Sequence, residues 1–308
     1  MILLSLNKNP KILWSIVGPT GIGKTALSIE LAKYLKTEII SCDSRQFYKE
    51  LKIGTAAPSS EELSLVPHHF IGNLSIAQDY SVGNFEKDAL RKINELFNKY
   101  DQLIMVGGSG LYEKAVNEGL DNFPDIDSKV RKDLMVEIQE KGLSYLQEEL
   151  KKNDPEYYSQ VDYNNPQRVM RALEIFRGTG KPYSSFRKNL VEKRNFTSVK
   201  IGLTASRDLI YDRINKRVDL MMEKGLLEEV ISLQPYRHKN ALQTVGYKEL
   251  FDYLDGNSSL EFAIDEIKKN SRRYAKRQLT WYRRDESVNW FDYQSTQEIV
   301  DFVMEKIR

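Results

Sequence analysis

The sequence predicts an α/β protein, a mostly parallel β-sheet flanked by helices, with a helical domain inserted into it. Three observations predict this. Short apolar runs alternate with longer segments of helical period. Two of those runs lead directly into glycine-rich turns. Between about residues 122 and 195 the strand-like runs stop. Strand–turn–helix alternation builds a parallel sheet because each return to the same end of the sheet needs a crossover, usually a helix.

The first run, Lys11 to Val17, reads as a buried strand; glycines follow at once, and Ala26 to Lys36 reads as a helix. Glu38 to Cys42 reads as a second strand, Leu103 to Val106 as a third, and Ser198 to Leu203 as a fourth. Lys129 to Lys151 and Pro166 to Arg177 read as helices separated by polar turns. Residues 122–195 are therefore expected to form the helical insertion, and residues 1–121 with 196–308 the α/β domain. Arg207 to Arg284 is again helix-rich. There Leu209, Ile214, Val218, Met221 and Met222 lie near helical spacing and are expected in the core, not at a cofactor.

Composition narrows the class. A chain of 308 residues buries a sizeable core, and 41% hydrophobic with 29% charged residues is ordinary for a globular protein. No run approaches the length needed to span a bilayer, so no membrane partner is expected. Met1 to Pro10 lacks the features of a signal peptide. The single cysteine, Cys42, excludes an intramolecular disulfide and a multi-cysteine metal site, and is expected to be a small buried residue. Together these point to the cytoplasm. A net charge of +2 says little about nucleic acid, but its distribution says more. From Lys268 to Arg284 there are eight basic residues and no acid, a local field that can attract a polyanion.

The strongest motif is Gly18-Pro19-Thr20-Gly21-Ile22-Gly23-Lys24-Thr25. It fits G-x-x-x-x-G-K-[ST] in full between a strand and a helix, which makes the fold P-loop NTPase-like. Glycines let successive backbone amides face one concavity, and the helix N-terminus adds partial positive charge. Lys24 supplies a cation to phosphate oxygens and the Thr25 hydroxyl can ligate Mg²⁺. A diphosphate or triphosphate is expected here. The motif does not name it, since a kinase or ATPase uses the same cradle.

Further motifs follow in order. Asp43-Ser44-Arg45-Gln46-Phe47-Tyr48 closes the second strand, and Asp43 stands where open α/β sheets place their ligands. Gly107-Gly108-Ser109-Gly110-Leu111-Tyr112 follows the third, which therefore ends in glycine instead of the Mg²⁺-linked Asp of many nucleotide hydrolases. Then come Asn165-Pro166-Gln167-Arg168-Val169-Met170-Arg171-Ala172-Leu173-Glu174, Gln243-Thr244-Val245-Gly246-Tyr247-Lys248-Glu249, and Arg272-Arg273-Tyr274-Ala275-Lys276-Arg277-Gln278-Leu279-Thr280-Trp281. Lys269, Arg272, Arg273 and Lys276 share one helix face.

This ordered set, from Gly18 to about Arg284, resembles the tRNA dimethylallyltransferase (isopentenyltransferase) family. The phosphate loop alone is unspecific; the set is highly specific. Two departures stand out. The family's usual lysine after Gly-Thr-Ala is Ala57 here, and its usual alanine inside the phosphate loop is Gly21. The lost lysine removes a contact but leaves the reaction chemistry intact.

The resemblance implies transfer of a dimethylallyl group from dimethylallyl diphosphate to N6 of adenosine 37, next to the anticodon of a tRNA, with Mg²⁺ as cofactor. Asp43 would be the general base, assisted by Lys24 and Thr25 at the leaving group. The diphosphate would be held by Gly18 to Thr25 with Arg213 and Arg217, one helical turn apart. The tRNA anticodon stem-loop would meet Asp43, Ser44, Arg45, Gln46, Ser109, Arg131, Gln167, Arg168, Val169, Met170, Arg171, Gln243, Thr244, Val245, Gly246, Tyr247, Lys248, Arg272 and Arg273. The protein is expected to be a monomer, with the helical insertion gripping the stem-loop. Two other readings stay open: a P-loop small-molecule or nucleotide kinase, and a non-catalytic RNA-binding module.

Two tempting features read otherwise. Gly178-Thr179-Gly180-Lys181 follows a helix and reads as its C-terminal cap. Adjacent His68 and His69 point apart in an extended segment, so they do not form a zinc site.

Overall fold

The computed structural model describes residues 10–187 and 191–308. The N-terminal residues read above for a missing signal peptide lie almost wholly outside that range. The chain divides into two compact units, residues 118–192 and the remainder.

The larger unit carries a six-stranded sheet in the order β3-β2-β4-β1-β5-β6. The strands are β1 (Ile12–Val17), β2 (Ile39–Ser41), β3 (His68–His69), β4 (Gln102–Val106), β5 (Thr197–Thr204) and β6 (Val288–Asp292). Every pair of neighbours runs parallel. All residues of β1, β2 and β4 are buried, as expected of a sheet covered on both faces. Their alternating side chains feed two cores. Leu13, Ile40 and Met105 join one; Trp14, Ile16, Ile39 and Ile104 join the other.

Before the insertion come α1 (Lys24–Leu35), α2 (Ser60–Leu65), α3 (Val82–Leu96) and α4 (Gly110–Glu118). The insertion holds α5 (Ser128–Lys141), α6 (Leu143–Asn153), α7 (Pro155–Gln160) and α8 (Pro166–Thr179). After it come α9 (Arg207–Glu223), α10 (Leu226–Ser232), α11 (Tyr247–Leu254), α12 (Leu260–Tyr282) and α13 (Thr296–Ile307). The chain leaves β1 toward β2 on one side and leaves β4 toward β5 on the other. Ligands of open α/β sheets bind beyond the carboxyl ends of the strands at such a reversal.

The helical unit closes on its own core of Leu134, Leu146, Leu150, Val169, Met170 and Leu173. Asn165 caps α8 by accepting from the Gln167 and Arg168 amides, and Pro166 occupies the first turn. Gly180, at φ +71°, ends that helix, so Gly178 and Thr179 still belong to α8 and the cap and turn are Gly180 and Lys181 alone.

Three sequence expectations need correction. Lys129 to Lys151 is two helices, broken at Gly142 with φ +80°. On α9 the buried apolar residue is Ile210 in place of Leu209. Strands β3 and β6 add one edge each that the sequence reading did not include. His68 and His69 do diverge: His69 Nε2 lies 2.6 Å from Glu38 Oε2, and His68 Nδ1 lies 2.8 Å from Val66 O.

Candidate functional site

Parallel register brings the ends of β1, β2 and β4 to one level. Ile16 pairs with Val106, and Ser41 pairs with Val106 from the other side. The Cys42 amide donates to Val106 O at 2.8 Å, so Asp43 and Gly107 emerge side by side. A side chain at 107 would stand 2.6 Å from the Cys42 carbonyl carbon and 2.7 Å from the Asp43 nitrogen. Glycine is therefore required for β4 to end against β2 so closely. Gly18, at φ +138°, turns the chain out of β1, where a β-carbon would meet Leu203 O at 2.7 Å.

These ends open into a cavity of about 520 Å³. Its walls include Thr20, Gly21, Gly23, Lys24 and Thr25 from the phosphate loop, Asp43, Arg45 and Gln46 after β2, and Gly107 and Gly108 after β4. Arg213 and Arg217 reach it from α9, and Thr244, Val245 and Gly246 from the turn before α11. Gly18 and Pro19 are buried behind the loop, and the Ile22 side chain lies in the core, leaving its backbone to face a ligand. Lys24 Nζ donates to Gly18 O at 3.0 Å and Pro19 O at 2.9 Å. Burial, then the charge of Arg217, lowers its pKa to about 8; Asp43 works in the opposite direction. Burial also lowers the pKa of Arg217, again opposed by Asp43. The cavity thus gathers Lys24, Arg45, Arg213, Lys216 and Arg217 against the carboxylates of Asp43 and Glu62, a field suited to a polyanion.

Asp43 Oδ1 accepts from the Arg45 amide at 3.1 Å, which tethers the carboxylate at the cavity wall. Ser109 Oγ accepts from the Ser44 amide at 3.1 Å and shares a 2.9 Å bond with the Ser44 hydroxyl. Gln46 donates to Thr55 O and Ala56 O, and Ala56 holds a left-handed φ of +43°. Cys42 is buried, and burial followed by the negative charge of Glu113 pushes its thiol pKa well up; it is an inert neighbour of Asp43.

Several residues expected at a nucleic-acid surface are elsewhere. Tyr247 is fully buried, its hydroxyl donating to Glu229 Oε1 at 2.7 Å. Val169 and Met170 lie in the core of the helical unit. Gln243 and Lys248 are exposed. Within the helical unit, the Glu174 carboxylate is buried and bonded at 3.1 Å by both Arg131 and Arg171. Arg131 also donates to Gln167 Oε1 at 2.8 Å, while Arg168 is exposed. On α12 the basic stripe is partly engaged: Arg272 donates to Asn215 Oδ1 at 2.7 Å, and Lys269 pairs with Glu266. Arg273 is exposed.

Sequence reasoning missed three supports. Glu229 accepts from the amides of Lys52, Ile53 and Gly54 at 2.8–3.0 Å and fixes the loop carrying Thr55. Tyr293 lies under the Arg213 guanidinium. Gln278, quoted in a motif but given no role, is buried between two site loops. No local spacing announces such partners, because each lies far away in the chain. Among the described residues no group of three or more His, Cys, Asp or Glu is placed to hold a metal.

The IPP transferase family matches residues 46–285. A tRNA dimethylallyltransferase of Christiangramia forsetii is 56% identical over 95% of this chain and 97% of its own. One of Flavobacterium johnsoniae is 54% identical over 97% and 99%. The crystal structure of a tRNA isopentenylpyrophosphate transferase from Bacillus halodurans superposes with a TM-score of 0.71 at 42% identity, covering 96% of this chain and 97% of that one. A eukaryotic dimethylallyltransferase captured acting on tRNA gives a TM-score of 0.77 at 26% identity, with coverage of 96% and 80%.

Proposed function

The chain belongs to the IPP transferase family, and on that premise we propose that it moves a dimethylallyl group from dimethylallyl diphosphate to N6 of adenosine 37 of a tRNA. Its relatives carry the name tRNA dimethylallyltransferase, which supports both the reaction class and the tRNA substrate. The observation that carries the residue-level reading is one cavity lined by Thr20, Gly21, Gly23, Lys24 and Thr25 of the phosphate loop and by the Asp43 carboxylate.

The chemistry then divides between two sides. The N6 lone pair forms a bond to the terminal carbon of the prenyl group as the carbon–oxygen bond to diphosphate breaks. Adenine N6 is a weak nucleophile because its lone pair is delocalised into the ring. Asp43 takes the N6 proton as the bond forms, a general-base contribution of about 10²–10⁴-fold. The leaving diphosphate meets the loop amides, Lys24, Arg213 and Arg217, which hold the charge it already carries and stabilise the further charge that develops as it departs.

The residues present suit Mg²⁺. The cavity offers the Thr25 hydroxyl with few carboxylates, as expected of an ion that keeps several waters and takes further oxygens from phosphate. Thr25 would hold it, and it would supply further charge neutralisation to the diphosphate.

For the nucleic acid, target adenines in a loop are splayed out to be reached. The arginines of the helical unit, Arg131, Arg168 and Arg171, and the exposed Arg273 of α12 would meet phosphates of the anticodon stem-loop. Among the described residues no helix is long and apolar enough to cross a membrane. The reading is completed by a monomer acting in the cytoplasm.

Incubation with radiolabelled dimethylallyl diphosphate and unmodified tRNA tests the reaction. Labelled adenosine is expected in the digested tRNA. Unlabelled tRNA would sink the reading, and phosphoryl transfer from ATP to a small molecule would restore the kinase alternative.

A further inference from the structure

We propose that Gln278 is a positioning residue that sets the distance between the diphosphate cradle and the turn beside Asp43. Its side chain is buried on α12. Oε1 accepts from the Thr20 amide of the phosphate loop at 2.8 Å. Nε2 donates to Gly108 O, in the turn after β4, also at 2.8 Å. Tyr274, one helical turn earlier, donates its hydroxyl to the same Gly108 O at 3.0 Å. A β-carbon added to Gly108 would lie 2.9 Å from Gln278 Nε2 and 3.0 Å from Asp43 Oδ2. The amide, the turn and the carboxylate therefore crowd one point.

The orientation of this amide is forced. A backbone N–H can only donate and a carbonyl can only accept, so the side-chain oxygen must face Thr20 and the nitrogen Gly108. A planar amide bonded at both ends is a spacer of fixed length between two loops. An aliphatic side chain of similar length fills the same volume, but it leaves a buried donor and a buried acceptor unpaired and the spacing unset. Spacing matters because the two loops carry opposite halves of the transfer reaction proposed above, on which this inference rests. The leaving group sits on one and the base beside the other, and a misplacement of about 1 Å can cost about 10²-fold. A second consequence concerns binding. The Thr20 amide is committed to Gln278, so the diphosphate is held by the amides that follow it, from Gly21 to Thr25.

Two variants test this. Gln278→Met keeps length and volume but loses both bonds. With both substrates saturating, its single-turnover transfer is expected to fall tenfold or more. Affinities for dimethylallyl diphosphate and tRNA should stay within about threefold, and the Thr20 amide should exchange its hydrogen tenfold faster or more. Transfer at the wild-type rate, or a loss accounted for by weaker substrate binding, overturns the proposal. Should the methionine variant fail to fold, Gln278→Glu keeps the acceptor for Thr20 and turns a carboxylate on Gly108 O. Thr20 should then stay protected while saturated transfer still falls tenfold; a wild-type rate overturns the proposal as well. Absence of product from the wild-type protein refutes the transfer reading itself, and Thr20 exchange in the variants still decides whether the bridge exists.

Discussion

The guanidinium of Arg213 lies 5.0 Å from the centroid of the Tyr293 ring. The two residues come from α9 and from the loop after β6, so the contact depends on the whole sheet being assembled. The ring lies under the planar cation and limits where it can point, which is into the phosphate-loop cavity.

Tyr293→Leu should therefore act on diphosphate binding through Arg213. A cation–π contact at a partly exposed site is worth about 0.5–1 kcal/mol, which corresponds to a two- to fivefold weaker dissociation constant. Titration with dimethylallyl diphosphate measures it, and tRNA affinity should be unchanged. If Arg213→Ala abolishes the difference between Tyr and Leu at 293, the effect runs through the arginine.

Asp43→Asn separates proton transfer from diphosphate binding. The amide keeps the shape and can still accept from the Arg45 amide, but it could not act as the proposed base toward N6. Single-turnover transfer should fall about 10²-fold or more, with diphosphate affinity little altered. A collapse of diphosphate affinity together with metal dependence would make Asp43 a metal ligand instead.

Lys24 gives a pH dependence of known sign. Its pKa lies at about 8, below the ordinary 10.5, so the free protein loses this cation as pH rises through about 8. Diphosphate affinity should be level below that pH and fall by up to tenfold per unit above it. Lys24→Ala should bind more weakly and show a flat profile across the same range, with tRNA binding nearly intact and transfer strongly reduced. Stability runs the other way. The unfolded chain holds this proton up to 10.5, so between about 8 and 10.5 the contribution of Lys24 to stability rises with pH. Thermal unfolding of wild type and Lys24→Ala over that window reads the difference.

Arg272 and Arg273 should differ although they are adjacent. Arg273 is exposed, while Arg272 is already bonded to Asn215. Neutralising Arg273 should make the slope of log K against log salt shallower by about one if it meets a phosphate. Neutralising Arg272 should change the slope less and disturb α9 more. Equal slopes for Arg273→Ala and wild type would leave it a solvated side chain.

How much of this was written in the sequence depends on distance along the chain. The phosphate loop was legible because eight consecutive residues encode both its backbone and its charge. Strands β1, β2, β4 and β5 were legible because buried parallel strands are short apolar runs. Strand β6, Val-Asn-Trp-Phe-Asp, mixes polar and aromatic residues at a sheet edge, where one side needs no burial, so no period betrays it. The motif around Tyr247 was legible as a motif, yet its tyrosine faces the core; a quoted string does not say which of its residues point outward. Glu229, Gln278 and Tyr293 act on partners between about 80 and 260 residues away, and only the folded chain brings those pairs together.

The helical unit begins and ends at one place. The Glu192 amide donates to Glu118 O at 2.8 Å, and on the α/β side the Arg194 side chain donates to the carbonyls of Ala115 and Val116. For the sheet domain, everything from 118 to 192 is topologically one long loop with a mouth a single hydrogen bond wide. Closing such a loop costs entropy that grows only with the logarithm of its length. The length of chain between those two points therefore bears only weakly on the entropy of closing the sheet domain around its cradle and carboxylate.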